Sequence, residues 1–437
     1  MSKNKLEDVF VANGQPSVTY TSREKYETDV KNSLKRNGKL IYLAGPSKNG
    51  KSVLAIHVAK DRERIFVPCG SIGSKEDFFD FIYQEIMIPS ETTVTNGTSN
   101  TSTTMVKATL SFKLRQVIAS FSGGLMGGFQ DAENVNNSTV HKYSNSSKSA
   151  ILSKVISTSD LILILDDFHY LNDGLQQEIL QILKGWITNK NSIIVTTVKH
   201  RESDIIRMVP EMKGRVNVIK IAEWEKEDLE KIVSNGEVGL NFEFSLDLKQ
   251  KILNESYKNP MLVQEISYKI CEKMDILEKL DTKKEVDLDE KDFSEVLSEI
   301  ASSMGDEEVI SYFEKGKDSK GTKRNQYKFS DGYKRDIYQA ILYYLKEYVS
   351  MKAISTEEIT TKLHALMVDE TIKLPNLKSS VKSTLTHIND IDDKYAERSN
   401  VKTKVIDFDE EKKSLYILDP FFAFYLKWGY IENLEKY

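Results

Sequence analysis

The chain has 437 residues, of which 29% are charged, with a net charge of −5 and two cysteines. That length holds about two to four domains. The balance of charge excludes a protein that coats nucleic acid through bulk positive charge. Cys69 and Cys271, with no metal-ligand spacing between them, exclude a disulfide framework. No apolar run approaches the ~18 residues of a spanning helix. Met1-Ser2-Lys3-Asn4-Lys5 leads into polar sequence without a secretory pattern, so a reducing, cytoplasmic setting and no membrane contact are expected.

In chain order, residues 22–36 read as a helix capped by Ser22, and 39–44 as a short buried strand. Gly45-Pro46-Ser47-Lys48-Asn49-Gly50-Lys51-Ser52 then fits G-x-x-x-x-G-K-[ST], the phosphate-binding loop, and the run from Val53 to residue 59 reads as a helix. Strand, loop, helix is the context this motif needs. Its glycines let backbone N–H groups turn towards phosphate oxygens, and the helix N-terminus adds partial positive charge. Lys51 would reach the β- and γ-phosphates of a nucleotide, and the Ser52 hydroxyl would hold Mg2+. The bland alternative is a loop kept for its fold after losing its ligand. Residues 64–69 read as a second strand and 75–88 as an amphipathic helix.

Residues 90–149 break the alternation with runs rich in Ser, Thr, Asn and Gly. Within them, 106–114 alternates apolar and polar residues as a strand does, and 118–129 is apolar but broken by glycine. An insertion is expected, with β-ribbon character. It is either a tolerated surface loop or a contact element for self-assembly or a partner.

Leu161-Ile162-Leu163-Ile164-Leu165 is a continuous aliphatic run that ends in Asp166-Asp167. It reads as a strand buried on both faces. Its two carboxylates fall where open α/β sheets bind ligands. Asp166 would serve Mg2+, and Asp167 would orient or deprotonate the attacking water. A strand that merely ends in turn-forming acids is the alternative. A helix over 175–186, a strand over 192–197 and another over 216–221 complete the alternation of a parallel, doubly wound sheet.

After Trp224 the pattern turns helical over 226–233, 246–256 and from Asn259-Pro260 onward, where Pro260 stands near a helix start. These helices suggest a small lid. Residues 315–335 form a basic, poorly periodic linker, either solvated or in contact with phosphate or nucleic acid. The last hundred residues read as helices over 336–349, 356–366 and 376–391, then strands over 403–408 and 414–418. That order suggests a winged helix. Its third helix carries Lys378 and Lys382 but few other bases, which favours a protein-contact or autoinhibitory role over a grip on duplex DNA. The aromatic run 421–428 is expected to be core, with an exposed docking patch as the alternative.

Taken together, these motifs resemble the STAND-type P-loop NTPases and the related AAA+ replication initiators. Tyr20-Thr21-Ser22-Arg23-Glu24 looks like the family's "GRE" motif, with serine for its glycine. Asp166-Asp167-Phe168-His169 matches its double-acid strand. Glu255-Ser256-Tyr257-Lys258-Asn259-Pro260 resembles its "S-x-G-N-P" segment, with Lys258 for glycine, and Asp419-Pro420-Phe421-Phe422 is similar to its usual ending. The resemblance runs from about Tyr20 to the end of the chain. It implies a P-loop NTPase parallel sheet of 51432 order, a helical lid and a C-terminal winged-helix domain. The expected bounds are 1–222 for the core, including the 90–149 insertion, 223–305 for the lid, 306–334 for the linker and 335–437 for the winged helix.

The resemblance also implies ATP and Mg2+, framed by Arg23, the loop Gly45 to Val53 and Pro260. Thr197, at a strand tip, is a candidate γ-phosphate sensor; a plain polar strand end reads as well. Arg201 is a weaker sensor candidate, because Val198-Lys199-His200 separates it from the two threonines where family members carry arginine at once. The expected function is a slowly hydrolysing Mg-ATP switch that self-associates or engages a partner, in prokaryotic defence or signalling. No effector or sensor domain is visible, so either would be a separate chain, or the chain would be a minimal member of such a family. A DNA-binding AAA+-like ATPase and a nucleotide-binding scaffold without turnover are the alternatives.

Overall fold

In the computed structural model the chain forms two units, one of residues Ser22–Pro46 and Gly50–Ala222, the other of Met1–Thr21, Ser47–Asn49 and Glu223–Tyr437. The structure describes residues 3–436 except 37, 87–90, 96–97, 100–130, 136–137, 143–144, 159–160, 199–209, 305–306, 317–323, 350, 369–371, 400–403, 433 and 435.

The first unit is built on five parallel strands: β1 (Leu40–Gly45), β2 (Arg64–Pro68), β7 (Ile162–Asp166), β8 (Ser192–Val198) and β9 (Val216–Lys220), in the order β2-β7-β8-β1-β9. Counting these strands alone, the order is 51432, the order of the P-loop NTPase sheet expected from the sequence. The aliphatic runs are continuous because both faces are covered. Leu40, Tyr42, Leu163 and Leu165 point into one core, and Ile41, Leu43, Ile162 and Ile164 into the other. On the first face lie α3 (Lys75–Ile86), α4 (Asn145–Thr158) and α5 (Asp173–Thr188), through residues such as Phe78, Leu152 and Leu183. On the second lie α1 (Glu24–Leu34) and α2 (Lys51–Val58), through Val30, Leu54 and Ala55. Ser22 does not cap α1: Arg23 holds the cap position, and the Ser22 hydroxyl donates to Glu27 Oε1 at 2.6 Å.

The insertion carries a four-stranded antiparallel sheet of β3 (Glu91–Thr95), β4 (Thr98–Ser99), β5 (Asp131–Val135) and β6 (Ser138–Lys142), ordered β4-β3-β6-β5. The segments 106–114 and 118–129 lie outside the described residues. Helix α4 starts at Asn145, inside the stretch read as polar insertion, and Lys148 on it pairs with Asp80 of α3 at 2.6 Å.

The second unit is mostly helical. Its helices are α6 (Lys226–Leu240), α7 (Leu246–Glu255), α8 (Pro260–Lys273), α9 (Glu290–Ser303), α10 (Glu307–Lys315), α11 (Ile337–Glu347), α12 (Thr356–Leu366), α13 (Leu374–Ser399) and α14 (Pro420–Trp428). Among them lies a short parallel pair, β10 (Phe242–Phe244) and β11 (Lys284–Val286), and one core runs through these helices from Leu229 to Tyr430. After α11 the order is strand, helix, helix, hairpin. The strands β14 (Ile354–Ser355), β15 (Ile406–Asp409) and β16 (Ser414–Ile417) pair as β14-β16-β15, which is the winged-helix order. The aromatic run lies on α14 and is core, with Phe422, Phe424 and Leu426 fully buried.

Two expectations change in this unit. Residues 1–21 were assigned to the NTPase core, but Leu6, Val9 and Phe10 are buried in the helical core. Helix α6 also runs to Leu240 rather than ending near Val233. Gly236 and Gly239 do not break it, because they are where the N-terminal segment packs. A Cβ on Gly236 would stand 2.1 Å from the Phe10 ring, and one on Gly239 would stand 2.8 Å from Val18.

The basic linker is also more structured than expected. Strands β12 (Tyr327–Lys328) and β13 (Lys334–Arg335) form a short antiparallel pair. Arg335 is 2% exposed, ion-paired with Asp331 and Glu432 and stacked over Tyr343, while Arg324 pairs with Asp336. Among the described residues, no helix is long and apolar enough to cross a membrane.

Candidate nucleotide site

Three adjacent strands, β7, β8 and β1, end side by side, and the predicted phosphate-loop and acidic residues sit at those ends. Gly45 closes β1 so near Ile221 that an added Cβ would lie 2.6 Å from its carbonyl oxygen, which only glycine avoids. Lys48 (φ 53°) and Gly50 (φ 80°) take the left-handed conformation, and Gly50 caps α2. Left-handed residues of this kind curl successive N–H groups into an anion-binding concavity at a helix start.

Lys51 is buried, and its Nζ donates to the Pro46 carbonyl at 2.6 Å. Burial lowers its ammonium to about 8, against the pull of Asp167 and Asp166 in the other direction. Ser52 Oγ donates to Asp166 Oδ1 at 2.6 Å. The hydroxyl and the carboxylate expected to serve a metal therefore converge, although 114 residues separate them in sequence.

Asp167 follows in the left-handed conformation (φ 50°, ψ 50°) and opens a tight helical turn over Phe168–Tyr170. Burial, and then the neighbouring charge of Asp166, push its carboxyl up to about 6, with Lys51 opposing. Cys69 lies beside the acids; burial and both carboxylates raise its thiol, so a reactive thiolate is not part of this site.

Thr197 is the threonine expected as a γ-phosphate sensor. The structure instead brings Thr196, the residue before it, to the acids. Thr196 Oγ1 donates to Asp166 Oδ1 at 2.7 Å and accepts the Asp167 N–H at 2.8 Å. Thr197 is buried one residue further along β8, and successive strand residues face opposite sides. The signal for Thr196 was present in Ile193-Ile194-Val195-Thr196: a polar residue ending an aliphatic strand needs a partner.

Arg23 stacks over Tyr26, and its Nη2 donates to the Ala222 carbonyl at 3.0 Å. Arg201 lies outside the described residues. Ser47, Lys48 and Asn49 group with the helical unit, where Asn259 Nδ2 donates to the Lys48 carbonyl at 3.1 Å and Trp224 Nε1 to that of Asn49 at 3.2 Å. Asn259 also caps α8, with Pro260 in its first turn. Val53 follows Ser52 on α2.

The donor set suits Mg2+. Ser52 and Asp166 offer hard oxygens, and a phosphate-loop site supplies one or two carboxylates while the nucleotide and water complete the shell.

No protein family and no curated protein matches the chain. Solved structures do resemble it. The ORC2 protein of Aeropyrum pernix, solved as ADPNP-ADP complexes, is 12% identical and aligns over 96% of this chain and 95% of its own, with a TM-score of 0.50. The Walker-type ATPase PABY2304 of Pyrococcus abyssi is 14% identical over 98% of each chain at a TM-score of 0.49. CDC6P of Pyrobaculum aerophilum is 12% identical over 97% of this chain and 98% of its own at 0.43. At such identities the likeness to ORC2 shows the fold alone, and with the sheet order that is the α/β fold of a P-loop NTPase.

Proposed function

We propose that the chain is a slowly hydrolysing Mg-ATP switch of the STAND kind, whose nucleotide state controls self-association or partner engagement, in prokaryotic defence signalling. The observation that carries the ATPase part is the convergence of Ser52 Oγ on Asp166 Oδ1, with Lys51 and Asp167 beside them.

Each residue then has a task. The loop N–H groups and Lys51 bind and orient the phosphates. Lys51 leaves its Pro46 contact and is fully charged once phosphate adds negative charge beside it. Ser52 and Asp166 hold Mg2+, which when bound neutralises charge building on the phosphate oxygens. Asp167 orients a water and takes its proton as the water oxygen bonds to the γ-phosphorus and the bond to the β-phosphate oxygen breaks. A carboxyl raised to about 6 remains ionised at pH 7 yet is basic enough to accept that proton. Binding that favours one conformation over another is what a switch requires.

Two of the linker cations, Arg324 and Arg335, add nothing to the DNA-binding alternative, since they are committed to Asp336, Asp331 and Glu432. The test of the ATPase reading is phosphate release from ATP with and without Mg2+, beside Lys51→Ala. Mg2+-dependent release lost in the variant supports it. Nucleotide binding without release would leave a scaffold.

A further inference from the structure

We infer that Lys48 is a nucleotide-responsive clasp: its ammonium rests on Asp419 and Phe421 at the start of α14, and nucleotide phosphate competes with that acid for it, loosening the helix start. The inference rests on the nucleotide-binding reading above and adds to it a link from the phosphate loop to the winged-helix stretch.

Lys48 stands in the phosphate loop in the left-handed conformation, which a non-glycine residue keeps only where its surroundings hold it. Two helix starts hold it, and each is an Asn or Asp followed by proline. Asn259 caps α8, its Oδ1 accepting the N–H groups of Met261 and Leu262, and its Nδ2 donates to the Lys48 carbonyl at 3.1 Å. Asp419 caps α14, its Oδ1 accepting the Phe421 N–H at 2.8 Å, and its Oδ2 receives the Lys48 Nζ at 3.3 Å. Each cap gives one side-chain atom to its own helix and the other to Lys48. The same ammonium lies 3.8 Å from the centre of the Phe421 ring. All of these residues belong to one unit.

Nucleotide acts differently on the two grips. Asn259 is buried and neutral, so its hold on the backbone is indifferent to arriving charge. The ion pair is partly exposed, and pairs of that kind change an equilibrium by no more than about five-fold. A triphosphate brings several negative charges to the loop, and lysine carries its charge on a flexible stem that can follow them. Phosphate can therefore outbid Asp419. The consequence travels along α14. At its other end Lys427 Nζ and Trp428 Nε1 donate to the Glu255 carboxylate, at 2.7 and 2.9 Å. Glu255 leads through Tyr257 and Lys258, both left-handed, back to Asn259. Lys48, α14, Glu255 and Asn259 thus close a ring, and a change at Lys48 reaches α7, α8 and α14 together.

The test is the affinity of the full chain for a fluorescent ATP analogue with Mg2+, in a double-mutant cycle of Asp419→Asn and Lys48→Met. Asparagine keeps a cap for α14 and removes the charge. Methionine keeps most of the lysine stem. Asp419→Asn alone should tighten binding about two- to five-fold, and Lys48→Met alone should weaken it about two-fold or more. With Lys48→Met in place, Asp419→Asn should change nothing further. An unchanged affinity in Asp419→Asn would overturn the inference. So would the same tightening in the Lys48→Met background, which would be a general effect of removing a negative charge. If Asp419→Asn fails to fold, Phe421→Leu takes the ring from the ammonium and should tighten binding by a similar factor, again only where Lys48 is present. If the wild-type chain binds no analogue, the nucleotide reading falls and this inference with it. If it binds and the cycle shows no coupling, the inference alone falls.

Discussion

Burial acts on Asp167 and Lys51 in opposite senses, and both effects oppose folding at neutral pH. The Asp167 carboxyl is raised from 3.8 to about 6, so the folded state holds more protons than the unfolded one between those values. Its contribution is fully present below 3.8 and is lost as pH rises through about 6. Lys51 is lowered from 10.5 to about 8, so the folded state holds fewer protons, and stability rises with pH across that interval. Asp167→Asn should therefore raise stability at pH 7 by roughly 1–3 kcal/mol, with the gain shrinking towards pH 4, while ATP turnover falls. Melting curves at the two pH values check the first part, and a destabilised variant at pH 7 would contradict it. In the wild-type protein, kcat/KM should fall as pH drops through about 6, since it reports the free base. The loop lysine, Ser52 and both acids were legible in the sequence because each sits on a motif with a fixed backbone context. The Thr196 contact with the acids is not legible, because periodicity does not say which of two adjacent threonines on a strand faces them.

Elements were legible where the sequence is monotonous and obscure where packing overrides local preference. The five core strands stand out as aliphatic runs, and they are found within about two residues of where periodicity places them. Helix α6 extends past the expected end near Val233 through Gly236 and Gly239, whose missing side chains make room for Phe10, Val9 and Val18. Phe10→Ala should cost about 3–5 kcal/mol, the cost of emptying an aromatic site in a core. Urea unfolding checks this, and a loss below about 1 kcal/mol would mean that the N-terminal segment is not core. The stretch around Arg324 and Arg335 reads as a basic linker because a one-dimensional charge count cannot show that Asp331, Asp336 and Glu432 meet those cations. Arg335→Met should destabilise by about 3–5 kcal/mol, since it strands two carboxylates against apolar rings, and should leave any DNA binding unaltered. A parallel urea series and a DNA titration against salt read both outcomes.

At the scale of the whole molecule, the reading from sequence divided the chain into core, lid, linker and winged helix, whereas the structure has two units. The lid and winged-helix stretches share one continuous core, which composition could not reveal because helices of both kinds carry the same amphipathic pattern. The proposed switch makes assembly depend on nucleotide. Its most direct test is the mass in solution of the wild-type chain with no nucleotide, with ADP and with a non-hydrolysable ATP analogue, each beside Lys51→Ala. A larger species is expected only with the ATP analogue and Mg2+, and not in Lys51→Ala. The same mass in every condition, with nucleotide shown to be bound, would contradict it.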